Sequence, residues 1–321
     1  MEMMKKRVYG ILGISSIMSN WNADFSGYPK SISNGRVFGS DKAFKYPMKK
    51  MWENQGEKVL YIKSLKVEKG GLIPKTLKER YEQLFPEKKL DKNTETIEVI
   101  KNLFKAIDVK NFGATFAYKE DKDISITISI TGAVQIGQGF NFYDESSTEV
   151  QDILSPFRDP KGKQNKETKE NEEAKNSTLG TKIVSDEAHY FYPFNINPLA
   201  YKEFVELEIT DGYTEEDYLK FKETALSSAT SFATNSKVGC DNEFGLFIET
   251  EEDFYLPTLT QYIKFEKGEE KNKIILNLST VLKGVENHIK NIEIYYNPVT
   301  TEIVTDISNC KLINILTKKE V

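Results

Sequence analysis

The chain has 321 residues, of which 39% are hydrophobic and 29% charged, the proportions of an ordinary globular protein long enough for one large domain or two smaller ones. Its 44 basic residues against 49 acidic ones give a formal charge of -5, so any site for nucleic acid has to be locally basic. No apolar run approaches the roughly 18 residues of a membrane span. Two cysteines, Cys240 and Cys310, exclude a disulfide-dense secreted scaffold. Ser15, Ser16 and Asn20 interrupt the apolar N-terminal stretch, which therefore reads as a first strand rather than a signal peptide; a cytoplasmic protein with reduced thiols and no membrane partner is expected.

In chain order, the partial alternation from Arg7 to Ser19 predicts a half-buried strand. The loop from Asn20 to Gly39 carries the turn formers Gly27, Pro29, Asn34 and Gly35 and is long enough to be functional. Ser40 predicts the cap of a helix running from about Asp41 toward Trp52. A kink is expected at Pro47, because a proline inside a straight helix costs about 3 kcal/mol. Lys58 to Val67 reads as a strand, and Thr76 to Phe85 and Thr94 to Ile107 as helices, the second with Ile97, Ile100, Leu103, Phe104 and Ile107 on one face. Asp123 to Ile136 alternates through Ile124, Ile126, Ile128 and Ile130 as a strand does. Pro156 to Lys175 holds almost nothing to bury and reads as a mobile excursion. A strand from Ile183 to Phe194, a helix from Glu215 to Phe232, and further strands from Glu243 with a helix near Ser279 to Lys290 complete the pattern. Irregular mixing of strands and helices favours α+β over a doubly wound parallel sheet.

Phosphate-loop, dinucleotide and nucleophile-elbow motifs are missing from the sequence. His189 and His288 stand in no metal-ligand spacing with either cysteine, and His189 reads as a packed strand residue. Glu249, Glu251, Glu252 and Asp253 fit a solvated turn better than a metal site. The basic positions are more informative. Lys42, Lys45 and Lys49 recur at i, i+3 and i+7, opposite Phe44, Met48 and Met51, which makes either a solvated face or a strip suited to phosphates. Their neighbourhood favours the second reading: Asn34, Gly35, Arg36, Gly39 and Ser40 lead into a helix N-terminus, whose amide hydrogens attract anions. Trp21, Phe25 and Tyr28 carry rings able either to stack on unpaired bases or to anchor the loop.

The order of these segments resembles a known family. A strand, a loop with NGR, the helix GSDKAFKYPMKK, TGAVQIGQGFN, a charged excursion, and STLGTK ahead of HYFYPFNINP are similar to the CRISPR-associated backbone subunit of type I Cascade complexes. More narrowly they resemble the Csh/DevR branch, of the type I-B kind, in the RAMP superfamily. The likeness spans roughly Arg7 to Pro198 and rests on Gly39-Ser40 followed by Lys45 and Lys49, and on two motifs bracketing a thumb, Gly132 to Gln135 and Thr178 to Lys182. It implies an α+β fold with an RRM-like (ferredoxin-like) palm, an inserted helical fingers region and a long β-hairpin thumb. The implied divisions are a palm start with loop and basic helix at 1–66, fingers at 67–107, palm strands at 108–136, thumb at 137–182, and the rest of the palm with C-terminal elements at 183–321.

The resemblance further implies a non-catalytic subunit that needs no cofactor and binds crRNA. Its other partners would be further copies of itself in a helical backbone, the remaining Cascade subunits, and target DNA through the guide. Asn20, Asn22, Asn34, Arg36, Ser40, Lys42, Lys45, Lys49, Gln135, Gln138 and Lys182 would hold the RNA. The aromatic-rich loop, Pro47 and the balanced charge of the excursion depart from the family pattern. Two alternatives stay open: a type III-like subunit that cuts RNA with a metal ion at Asp24, and a general single-stranded RNA binder.

Overall fold

A computed structural model describes residues 2–87, 89–91, 93–120, 124–154 and 178–321. The excursion expected from Pro156 to Lys175 lies outside the described residues. The chain opens with strand β1 (Arg7–Ser19), on the bounds its alternation predicts, and a long loop that ends in β2 (Phe38–Gly39). Helix α1 (Asp41–Asn54) follows and runs unbroken through Pro47. Next come the hairpin β3 (Leu65–Glu68) and β4 (Gly71–Pro74), helices α2 (Leu77–Leu84), α3 (Thr96–Leu103) and α4 (Ile107–Phe112), and the hairpin β5 (Gly113–Glu120) and β6 (Ile124–Thr131). Strands β7 (Val134–Ile136), β8 (Gly139–Asn141), β9 (Thr148–Leu154) and β10 (Thr178–Ile196) are followed by helices α5 (Lys202–Glu206), α6 (Glu215–Ala225) and α7 (Ser228–Ser231). The last part holds β11 (Cys240–Thr250), β12 (Ile263–Glu266), β13 (Asn272–Leu276), α8 (Ser279–Leu282), β14 (Ile289–Tyr296), β15 (Thr301–Thr305) and β16 (Lys311–Asn314). The fold is mixed α+β, as the pattern predicts.

Among the described residues the main sheet has nine strands, in the order β16-β14-β11-β1-β10-β8-β2, with β7 and β9 also pairing with β10. All its pairings are antiparallel except β14 with β16. Alternation sends Val8, Leu12 and Ile14 of β1 and Tyr190, Tyr192, Phe194 and Ile196 of β10 to one face, where they pack with Phe44, Met48 and Trp52 of α1 and Phe221 of α6. Tyr9, Ile11 and Phe191 point the other way, against Ile263, Ile274 and Leu276 of the smaller sheet β12-β13-β15. Each such side chain contributes about 1.5–3 kcal/mol when fully buried.

Five expectations are corrected, and in all but one a distant partner captures backbone that the local pattern assigns elsewhere. The strand expected over Lys58 to Val67 forms only at its end, as β3, because the amides of Leu60 and Tyr61 donate to the buried carboxylate of Asp108, at 2.7 and 2.8 Å. The helix expected from Thr94 to Ile107 divides into α3 and α4, since the amide of Ile107 turns to the carbonyl of Lys58 at 2.8 Å; Val99, Asn102 and Leu103 form the buried face and Ile97 is exposed. The helix from Glu215 to Phe232 breaks where Asn242 of β11 inserts, donating to Ala225 O at 2.8 Å and accepting from the amide of Ala229 at 2.9 Å. Near Ser279 to Lys290 the helix is cut to the short turn α8 and a 3-10 turn at Glu286–His288, parted at Gly284, whose φ is +82°, and the chain is already in β14 from Ile289. The expected strand from Asp123 to Ile136 likewise divides, into β6, which pairs with β5, and β7, which joins the main sheet.

Asp108 also lies 3.6 Å from the ammonium of Lys49, so one carboxylate ties the 58–64 segment, α4 and α1 together. Asp108→Ala is expected to lower stability by about 3–5 kcal/mol, the cost of breaking a buried charged pair. Chemical denaturation would register this as a reduced midpoint at unchanged slope.

Candidate nucleic-acid interface

The Asn20 to Gly39 loop is built around a buried aromatic. The indole of Trp21 donates to the hydroxyl of Tyr192 at 2.5 Å, and the Phe44 ring packs against both, with centroids 6.3 and 5.1 Å away. Burial pushes the Tyr192 hydroxyl well above its ordinary pKa, so it stays protonated. Where the loop returns it crosses this pair at Gly39, whose missing Cβ would lie 1.8 Å from the Tyr192 hydroxyl and 2.7 Å from the indole. Trp21 is therefore an anchor, while Phe25 and Tyr28, further along the loop, are exposed. Asp24 caps its own turn, its Oδ1 accepting from the amides of Ser26 and Tyr28 at 2.8 and 3.0 Å.

At the start of α1, Asn22 Oδ1 accepts from the Ser40 amide at 2.8 Å, and Ser40 Oγ accepts from the Ala43 amide at 3.3 Å as the N-cap. Two amide hydrogens of this helix start are thus satisfied within the chain. Lys42 is exposed, and its ammonium has no partner among the described residues. Lys45 instead pairs with Asp41 at 2.9 Å and lies 5.1 Å over the Phe112 ring. Lys49 reaches further inward, donating to Tyr61 O at 3.2 Å beside Asp108; burial pulls its pKa down against the attraction of that carboxylate. Gln138 Nε2 approaches Asp41 Oδ1 at 3.5 Å and so belongs to the same helix end.

The remaining predicted residues fall into separate groups. Asn20 is buried, and its Nδ2 donates to Gly27 O and Ile183 O at 2.9 and 3.1 Å, tying the loop to the base of the β9-β10 ribbon. Lys182 stands beside Ile183 at that base, opposite Gln151 of β9. Asn34 Oδ1 accepts from the Arg36 amide at 3.0 Å, and the Arg36 guanidinium lies 4.7 and 5.3 Å over Phe140 and Phe142. Gln135 alternates with Val134 and Ile136, which face the helix side, so it projects from the opposite face to α1; its Nε2 donates to Gly132 O at 2.8 Å. Gln135 and the α1 lysines therefore occupy different faces of the sheet.

Two features escape sequence patterning. One is Lys237, which reaches the root of the loop from 217 residues away. The other is the pairing of His189, which is buried in its strand as its aromatic neighbours predict and stacks 4.0 Å from Phe265. Its Nδ1 lies 2.8 Å from Oε2 of Glu243, and its Nε2 lies 2.9 Å from Oε1 of Glu187, which also pairs with Lys267 at 2.6 Å. Burial alone would lower the pKa of His189, but Glu243 and Glu187 outweigh it and hold the ring above its ordinary value of 6.5. Glu187 stands two residues before His189 in β10 and shares its face by alternation, whereas Glu243 comes from β11, 54 residues away, with no local signal to pair it with the histidine.

The sequence matches the family described as CRISPR-associated protein Cas7 over residues 6–281, and the chain belongs to that family. Among solved structures it is similar to a chain of a "CRISPR RNA-guided surveillance complex, pre-nicking", at 14% identity and TM-score 0.46, covering 78% of this chain and 80% of that one. It is also similar to a chain of a "CRISPR RNA-guided surveillance complex", at 13% identity and TM-score 0.44, covering 89% and 88%. Comparison with curated proteins finds no match.

Because the folded-state pKa of His189 is raised, the protonated ring contributes its full stabilisation below 6.5 and loses it as pH climbs through the folded value. Denaturant midpoints of the wild type are therefore expected to fall as pH rises through that window. The same midpoints for His189→Asn should change less; equal slopes for the two proteins would contradict a charged His189.

Proposed function

We propose that this protein is a non-catalytic, guide-RNA-binding backbone subunit of a type I Cascade surveillance complex, of the I-B kind, whose copies stack head to tail along the guide in the cytoplasm. The family match over residues 6–281 carries the reading. The strand order β11-β1-β10-β8, with α1 between β1 and β8 in the chain and α6 between β10 and β11, supports an RRM-like palm. In the same reading α2 and α3 belong to the fingers, and the β9-β10 ribbon is the base of the thumb. The divisions at 66, 107, 136 and 182 remain the proposed ones.

Within this scheme the accessible cations Lys42, Arg36 and Lys182 bind backbone phosphates, with Asn34 and Gln138 beside them. Phe25 and Tyr28 offer exposed faces on which an unstacked base can rest. Asn20, Asn22 and Ser40 shape the loop and the helix start from inside, while Lys45 and Lys49 hold α1 against α4 and add positive field behind the contacts. Gln135 serves from the opposite face, where a neighbouring copy or its RNA would pass. A handful of cations at this site, on a chain of charge -5, gives weak binding per copy, so affinity comes from many copies on one strand. Sequence reading is left to the guide, which pairs with target DNA.

The double variant Lys42→Glu, Arg36→Glu is expected to lose co-purifying RNA and to bind single-stranded RNA with a log K versus log salt slope shallower by about 0.7 for each phosphate contact removed. Sequencing of RNA bound to the wild type should return short molecules of uniform length with a shared repeat-derived end. Heterogeneous RNA would instead favour a general single-strand binder, and cutting of guide-complementary RNA that stops in Asp24→Ala would favour the nuclease.

A further inference from the structure

Lys237 lies in the 233–239 loop between α7 and β11, and its side chain runs into the root of the Asn20 to Gly39 loop. Its ammonium donates to Asn20 O at 2.6 Å and to Trp21 O, and lies 5.4 Å over the Trp21 ring. No carboxylate pairs with it among the described residues, so this half-buried cation is balanced by two carbonyl dipoles and an aromatic face. Burial pulls its pKa down accordingly.

The surroundings fix Lys237 on one side and the loop on the other. The amide of Asn20 donates to Ser236 O at 2.9 Å, and that of Ile17 to Gly239 O at 2.9 Å. Gly239 has φ +101°, and a Cβ there would lie 2.3 Å from Ile17 O, so the 233–239 loop is pressed against the end of β1. From the same Asn20 the side chain continues to Gly27 O and Ile183 O, while its own Oδ1 is buried without a partner. A chain of polar contacts thus runs from Lys237 through the loop root to the loop tip and the base of the ribbon. The residues it joins flank the exposed Phe25 and Tyr28 and the helix start at Ser40.

We propose that Lys237 is a positioning residue of the RNA site: by gripping the Asn20 and Trp21 carbonyls, it sets the loop geometry that presents Phe25, Tyr28 and the start of α1 to single-stranded RNA. This rests on the RNA-binding reading above. One ammonium can hold two carbonyls of adjacent residues at once, which a methionine of similar length cannot do. A guanidinium can, so arginine is the conservative replacement.

The test uses the full chain and a labelled single-stranded RNA long enough for several copies, titrated across a range of salt. Lys237→Met is expected to bind about tenfold more weakly, with an unchanged dependence of log K on log salt, because no phosphate contact is lost. Lys237→Arg should recover most of that affinity. Without RNA, Lys237→Met should shift tryptophan emission to the red as Trp21 loses its cover. Wild-type affinity in Lys237→Met overturns the proposal, and so does a slope shallower by about 0.7, which would make Lys237 a phosphate ligand instead. If Lys237→Met does not fold, Lys237→Gln, with a shorter neutral donor, is expected to bind several-fold more weakly, and wild-type binding there overturns the proposal equally. A wild type that binds no RNA at all, yet shows the emission shift on substitution, removes the RNA-binding reading and not the grip on the loop.

Discussion

The register of β10 is the constraint on which the rest of the molecule depends. Its 19 residues, roughly 60 Å of extended chain, pair with β1 along one edge and with β9, β8 and β7 in turn along the other. A slip of one residue would send Tyr190, Tyr192 and Phe194 to the wrong face and His189 and Phe191 into the helix-side core. The Trp21 to Tyr192 hydrogen bond, the close crossing of Gly39 and the seat of Phe44 all follow from Tyr192 facing α1. The Asn20 to Gly39 loop is thus shaped by the sheet beneath it more than by its own turns.

Sequence reasoning succeeds where the determining contacts are local. The alternation of β1, the Ser40 cap and the apolar spacing of the short helix after Thr76 all lie within a few residues of the backbone they organise. It fails where a polar side chain from elsewhere in the chain takes over backbone groups. Asp108 acts on Leu60 across 48 residues, and Asn242 splits α6 from α7 across 17, with no periodicity to announce either. The basic strip on α1 illustrates both outcomes. Spacing predicts correctly that the three lysines share a helix face, yet it carries no information that Asp41 and Asp108 have claimed two of them.

Much of the positive charge here is structural. Lys6 bridges Glu215 and Glu249, Lys222 pairs with Glu293, and Lys110 with Asp217, so these ammonium groups are neutralised where they help hold α6 to the sheet and to α4. A count of 44 basic residues therefore overstates what an anion would meet. Local availability, rather than total charge, decides where a polyanion can lie. Lys42, left unpaired among the described residues beside a capped helix start, is one such available position.

The ribbon formed by β9 and β10 begins where β1 ends, at the Ser19 to Ser185 pair, and shares its backbone with the central sheet through β10. Among the described residues its register shifts only away from the sheet, between Thr178 and Gly180. Mechanically the ribbon is a lever welded to its fulcrum, not a flap on a hinge. A torque applied along it reaches Ile183, and through Asn20 the root of the loop, so a load taken up by the ribbon would tilt the exposed rings of Phe25 and Tyr28 in the same stroke.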